Sequence, residues 1–190
     1  MWALVESDNV TEVFYRPKRL TIGDVNYPSN IFMLWTSSEL EAIDIYEVVI
    51  DNTNYKDPEY YINTNQSFAF SSGTVTATYG TATAKALNDS TDSDGVVIRG
   101  LKYNHCQKIN NQAYGLFIPN DWMVIKATET GGSVASDWTT YRAAIRTSAD
   151  SMKTKINAVA NVDALAALYV YNDATPRVRP LGEFPDVPSS

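Results

Sequence analysis

Apolar and polar positions change their period along this chain, and each change marks an element. Trp2 to Val5 and Val10 to Tyr15 are short apolar-rich runs separated by Glu6-Ser7-Asp8-Asn9, a cluster of turn formers, which predicts a β-hairpin. Leu20-Thr21-Ile22 and Val25-Asn26-Tyr27 flank Gly23-Asp24 and stop at Pro28, so a second tight turn between extended segments is expected. Thr36 and Glu39 then have the spacing of a capping box, and Trp35 and Leu40 that of a hydrophobic staple; together they start a short helix running to about Ile43. Tyr46 to Ile50 follows as a strand, with a turn at Asp51-Asn52-Thr53-Asn54. Tyr60 to Tyr79, rich in Tyr, Phe, Thr and Val, alternates about Ser71-Ser72-Gly73 and predicts a further hairpin, with Phe68, Phe70, Val75 and Tyr79 near one buried surface.

The second half of the chain has longer periods. Thr81 to Leu87 holds good helix formers, whereas Asn88 to Gly95 is polar and turn-prone and suits a linker. Leu101 to Phe117 predicts a helix with Leu101, His105, Ile109, Ala113 and Leu116 or Phe117 on one face. Pro119-Asn120-Asp121 ends it, because proline disfavours helical geometry in the residue before it. Trp122-Met123-Val124-Ile125 is a short apolar run rich in strand formers, expected as a strand buried on both sides or lying under a helix. Gly131-Gly132 supplies a turn and Ser136-Asp137 an N-cap for a helix from Trp138 to about Val159. Its apolar stripe is Trp138, Tyr141, Ile145, Ala149, Met152, Ile156 and Val159, with Arg142, Arg146, Lys153 and Lys155 beside or behind it. Asn161 to Leu168 reads as a second capped helix, and Pro176 to Ser190, with four prolines, as an extended tail. The fold class expected is α+β: a β-rich module over 1–87, a polar linker over 88–98, a helical module over 99–175 and the tail over 176–190. Trp122, Trp138, Tyr141 and Ile145 are expected to pack together.

Composition narrows the function classes. At 44% hydrophobic and 19% charged the 190 residues suit a folded protein, and a net charge of -7 disfavours a groove for a nucleic-acid backbone. No run approaches the length of about 18 apolar residues that a membrane span needs, and Met1 to Glu6 lacks the basic start and apolar stretch of a signal peptide, so a protein made and used in a cytoplasm, or packaged from one, is expected. One cysteine, Cys106, excludes an internal disulfide and a thiolate-rich metal site. It adjoins the single histidine, His105, and neighbours on a helix point about 100° apart, which prevents a nucleophile–base pair between them. Asp92-x-Asp94-Gly95 lacks a calcium loop's ligands, with Ser90 and Leu101 where carboxylates are needed. No acid pair, phosphate-binding glycine loop or hydrolase elbow stands out; the residues point to binding without catalysis, cofactor or metal.

Two stretches carry a resemblance. Leu101 to Arg146 resembles the tail fibre assembly proteins of tailed bacteriophages: a helix with an apolar stop, then Asn120-Asp121-Trp122 where that family usually has Thr-Asp-Trp. Trp138-x-x-Tyr141-Arg142-x-x-Ile145-Arg146 then stands close to its Trp-x-x-Tyr-Arg-x-x-Leu-Arg. Leu20 to Ile45, with Asp24-Val25-Asn26-Tyr27-Pro28 and Leu34-Trp35 before Glu39-Leu40, is similar to N-terminal modules of phage tail-region proteins. The chain departs from the first family in continuing its helix through Met152 and Ile156 and adding the capped helix at Asn161. The resemblance implies a protein that binds a tail fibre subunit and assists fibre assembly in the host cytoplasm, without nucleic acid or membrane insertion. The alternative is a permanent tail or fibre component, an adhesin among the options, oligomeric within that assembly and retained in the virion. Asp121, Trp122, Trp138, Tyr141 and Ile145 form the motif core, and Arg142 and Arg146 are the candidate partner-binding residues. Pairing of those arginines with Asp137 and Asp150 is the competing structural role.

Overall fold

The computed structural model describes residues 1–188; the last two residues of the expected tail, Ser189 and Ser190, lie outside the described residues. It is an α+β fold in two compact units, Met1–Thr83 and Ala84–Ser190. The first is β-rich and the second mainly helical.

In the first unit, β1 (Trp2–Glu6) and β2 (Asn9–Phe14) pair antiparallel through Ser7 and Asp8, which both take positive φ, 51° and 62°. Two successive positive φ values give the turn the twist of the strands it joins, and Asp tolerates this conformation better than most residues. β3 (Leu20–Ile22) and β4 (Val25–Tyr27) turn at Gly23, and the short helix α1 (Ile31–Leu34), absent from the sequence reading, follows Pro28. Helix α2 (Ser37–Glu41) carries the expected capping box: Thr36 Oγ1 accepts from Glu39 N–H, and the Glu39 carboxylate accepts from Thr36 N–H at 2.8 Å. That backbone bond, with a second from the Thr36 hydroxyl, holds the Glu39 carboxyl below its ordinary range.

Strand β5 (Ile45–Asp51) pairs antiparallel with β1 and parallel with β8 (Thr74–Tyr79). The two-residue strand β6 (Tyr61–Ile62) precedes β7 (Gln66–Ser71), which pairs antiparallel with β8 about Ser72 and Gly73. The sheet order is β2-β1-β5-β8-β7. β1 lies inside the sheet with both faces covered, which explains its nearly continuous apolar text. Leu4 joins Phe14, Leu20, Ile31, Phe32, Leu40 and Ile45 on one side, while Ala3 and Val5 meet Val75 on the other, flanked by Tyr46, Val48 and Phe70.

The second unit opens on strand β9 (Thr83–Ala84) at the boundary, and the helix formers of Thr81–Leu87 do not make a helix. Its residues have another use. Helix α3 (Leu101–Phe117) has no side-chain cap, and Ala86 and Leu87 offer their carbonyls to the N–H groups of Leu101 and Lys102 at 2.9 and 3.0 Å. An extended chain can thus satisfy donors that a helix at 81–87 would leave bare. The segment 88–98 carries a small hairpin of β10 (Ser90–Thr91) and β11 (Val97–Ile98), its turn closed by Asp92 accepting from Asp94 and Val96 N–H. The Asp89 carboxylate accepts from Gly100 N–H at 2.8 Å and from Arg99, and these bonds hold its carboxyl below the usual range.

Helix α3 packs antiparallel against α5 (Ser136–Ala158). Leu101, His105, Ile109 and Ala113 are buried on one, and Tyr141, Ile145, Ala149, Met152 and Ile156 on the other, as the helical spacing predicts. Trp122–Ile125 is not a strand: after a 3-10 turn at Ile118–Asn120 the run lies in helix α4 (Asp121–Thr130), which ends at Gly131 with φ 68°. A short apolar run does not by its period distinguish strand from helix, and the helix-forming Lys126-Ala127 behind it extends the turn already begun at Pro119. The Ser136-Asp137 cap is also corrected, since α5 starts at Ser136 after Ala135 without a side-chain cap and Asp137 only accepts from its neighbour Trp138 N–H. Helix α6 (Val162–Ala167) has the expected cap, Asn161 accepting from Ala164 N–H at 2.8 Å. The tail returns to α5, where Lys155 Nζ donates to the carbonyls of Pro180 and Leu181 and the Leu181 side chain is buried.

Two glycines in or beside α3 should respond oppositely to alanine. A Cβ on Gly100 would lie 2.4 Å from the backbone of Asn88, so Gly100→Ala must displace the chain that caps the helix and lower the melting temperature. Gly115 has open space around its Cα, and Gly115→Ala should stabilise by about 1 kcal/mol through helix propensity, read by thermal or urea denaturation.

Candidate functional site

The stretch where α3 gives way to α4 is held by one buried amide. Proline at 119 cannot continue the helix ladder, and Asn120, 2% exposed, closes the end of α3 by donating from Nδ2 to the Leu116 carbonyl at 2.7 Å. Its Oδ1 accepts from Arg142 Nη1, while Arg142 Nη2 donates to Asp121 at 2.8 Å. The same guanidinium lies over the Phe117 ring, 4.8 Å from its centroid, and that of Arg146 lies over it at 5.1 Å. Arginine suits this position because its planar fork donates in two directions and stacks by its face. Arg142 is therefore engaged across helices and mostly covered, whereas Arg146 is exposed. The pairings expected within α5 are replaced: Arg142 takes Asp121, and Asp150 takes Lys153 at 3.0 Å.

The motif residues divide in two. Tyr141 and Ile145 are buried in the α3–α5 core, and Trp138 meets Tyr141 edge to face with centroids 5.8 Å apart. Trp122 does not join them in a core; it is 54% exposed, and α4 has no buried residue at all. Trp122 and Trp138 instead both line a cleft of about 300 Å³ with Lys126, Thr130, Gly132 and Val134. Lys126 Nζ stands 5.9 Å from the Trp122 ring centroid. Ile125, one turn from Trp122, is 59% exposed, and Tyr114 and Ile118, one turn apart at the end of α3, are 64% and 53% exposed. Sequence reading missed Asn120, Tyr114, Ile118 and Ile125. The available signal was that Tyr114 and Ile118 fall outside the Leu101–Ile109–Ala113 stripe.

Elsewhere the reactive side chains are occupied. His105 Nδ1 is 2.7 Å from the Tyr169 hydroxyl inside the core, and burial pushes the Cys106 thiol up, which keeps it protonated and a poor nucleophile at neutral pH. Among the described residues no group of three or more His, Cys, Asp or Glu can hold a metal ion, and no helix is long and apolar enough to cross a membrane. Comparisons with protein-family models, curated proteins and solved structures found no match.

Removing Arg142 should cost stability before it costs anything else. Arg142→Ala leaves the buried Asn120 carbonyl without its charged donor, a loss of about 1 to 3 kcal/mol in urea unfolding, and Arg142→Lys should restore only part because an ammonium cannot span both acceptors and stack.

Proposed function

We propose that this chain binds a subunit of a bacteriophage tail fibre and assists its assembly, with α4 as the docking helix. The observation that carries the reading is that α4 holds Trp122, Val124 and Ile125 in solvent without burying a single residue of its own. An isolated helix of this length is marginal in water, and a cluster of exposed large apolar side chains marks a surface made for contact. The node of Asn120, Arg142 and Asp121 fixes where α4 begins, so the face is presented in a set direction. Trp122 and Ile125 then project one turn apart, the spacing by which a helix fills an apolar groove. Resemblance of Leu101–Arg146 to tail fibre assembly proteins supports the fibre as the partner. The work is non-covalent: covering apolar fibre surface in the host cytoplasm until subunits meet. Arg146, exposed beside Phe117, adds a charge at the rim.

Co-expression with a tail fibre subunit tests the reading. Trp122→Ala should weaken the complex by about 2 kcal/mol, roughly 30-fold, with melting unchanged because the side chain supports no core. The double variant Trp122→Asp/Ile125→Asp should abolish recovery of soluble fibre, and Arg146→Ala should have a smaller, salt-dependent effect. Full fibre recovery with the double variant would remove α4 as the docking element.

A further inference from the structure

The formal charge is not shared between the two units. Met1–Thr83 holds eleven of the 22 acidic residues but only four of the 15 basic ones, a balance of -7, while Ala84–Ser190 has eleven of each. Three of those four cations, Arg16, Lys18 and Arg19, sit in one exposed loop between β2 and β3. That loop borders a cavity of about 610 Å³ lined by Glu12, Lys18, Arg19, Thr21, Asn26 and Tyr27 among others.

Each wall has a defined state. Lys18 pairs with Glu12, the one carboxylate on the cavity wall, and its Nζ lies 5.1 Å from the Phe14 ring centroid, which fixes the loop to the sheet. Arg19 makes no hydrogen bond or ion pair among the described residues, so its fork faces the cavity's solvent unneutralised. Asn26 accepts from the Thr21 hydroxyl through Oδ1 at 2.7 Å, which turns that oxygen inward on the hairpin and leaves its two amide N–H donors free. Tyr27 presents a ring braced edge-on by Trp35, centroids 5.9 Å apart at 85°. A free guanidinium, a free amide and a braced aromatic ring around an open cavity match a ligand with a carboxylate or sulfate, hydroxyl groups and an apolar ring face.

We propose that this cavity of the first unit binds an acidic saccharide. Arg19 receives the anion by two parallel N–H bonds, Asn26 donates to a ring or hydroxyl oxygen, and Tyr27 packs on the sugar's C–H face. The surrounding acidic surface repels anions everywhere else on the unit, so an acidic chain has one place to settle. The site is remote in sequence from α4 and stands whether or not the chain binds a fibre.

The test is titration of the full chain with three tetrasaccharides, tetragalacturonate carrying carboxylates, a heparin tetrasaccharide carrying sulfates, and uncharged maltotetraose, followed by calorimetry and by chemical shifts of the Arg19 and Asn26 amides. At least one acidic ligand should bind, maltotetraose at least tenfold more weakly, with the shifts confined to the β2–β4 region. Arg19→Ala should weaken the acidic ligand at least tenfold, Arg19→Lys by less, and Asn26→Asp should abolish it by adding a like charge; both positions are exposed, and unchanged melting shows that the fold is kept. Absence of binding to either acidic ligand, or equal binding by Arg19→Ala, would overturn the proposal. Displacement by equimolar inorganic phosphate would reduce the site to simple anion attraction and overturn saccharide recognition. Fibre co-expression with Arg19→Ala should be unaffected, which separates this result from the role of α4.

Discussion

The helical unit depends on the contact between Arg142 and Asn120. A helix that ends inside a protein leaves carbonyls without donors, and one that begins leaves N–H groups without acceptors. Here an end and a beginning fall within a few residues of each other, with proline between them. Asn120 meets the first demand and anchors the second helix by another route, because an amide donates and accepts at once: its N–H closes α3, and its oxygen, which makes no cap bond to α4, takes the guanidinium from α5. Burial of the amide raises the stakes, since an unpaired polar group out of water costs more than the pair gains. The direction in which α4 leaves the α3–α5 pair follows from that satisfied node. Stability and presentation of the exposed face therefore have one cause, and the face itself contributes nothing to stability.

The long helices were legible because a covered stripe repeats. Leu101, His105, Ile109 and Ala113 on one side, and Tyr141 to Ile156 on the other, alternate with residues whose polarity only solvent explains. Hairpins were legible through their turns, where Ser7-Asp8 and Ser72-Gly73 admit positive φ. The capping boxes and caps at Thr36 and Asn161 were readable for the same local reason, the partners lying within one turn. One failure was non-local. Ala86 and Leu87 look helical in isolation, but their carbonyls are spent on α3, an arrangement that no window of neighbouring residues contains.

The candidate sites were legible only in part. Trp122 carries the composition of a core residue, and a pattern reader assigns apolar text to the interior by default. The same text on a surface is the signature of contact, and burial alone tells the two apart. Arg142 and Arg146 differ by one turn of helix and look alike in sequence, yet one is drawn inward by Asn120 and Asp121 and the other stays outside. The cavity beside Arg19 was invisible because the unequal division of charge emerges only once the unit boundary is known.

The docking of Leu181 on Lys155 makes the packing of the helical unit depend on a closure between residues far apart in the chain. The five-stranded sheet of the first unit lies wholly before Thr83, so nothing beyond that residue is needed to pair its strands. The second unit has no such freedom. Its long helix holds a lysine to the carbonyls of Pro180 and Leu181, 25 and 26 residues further along, so a cut between them removes that closure while leaving the strands of the β unit whole.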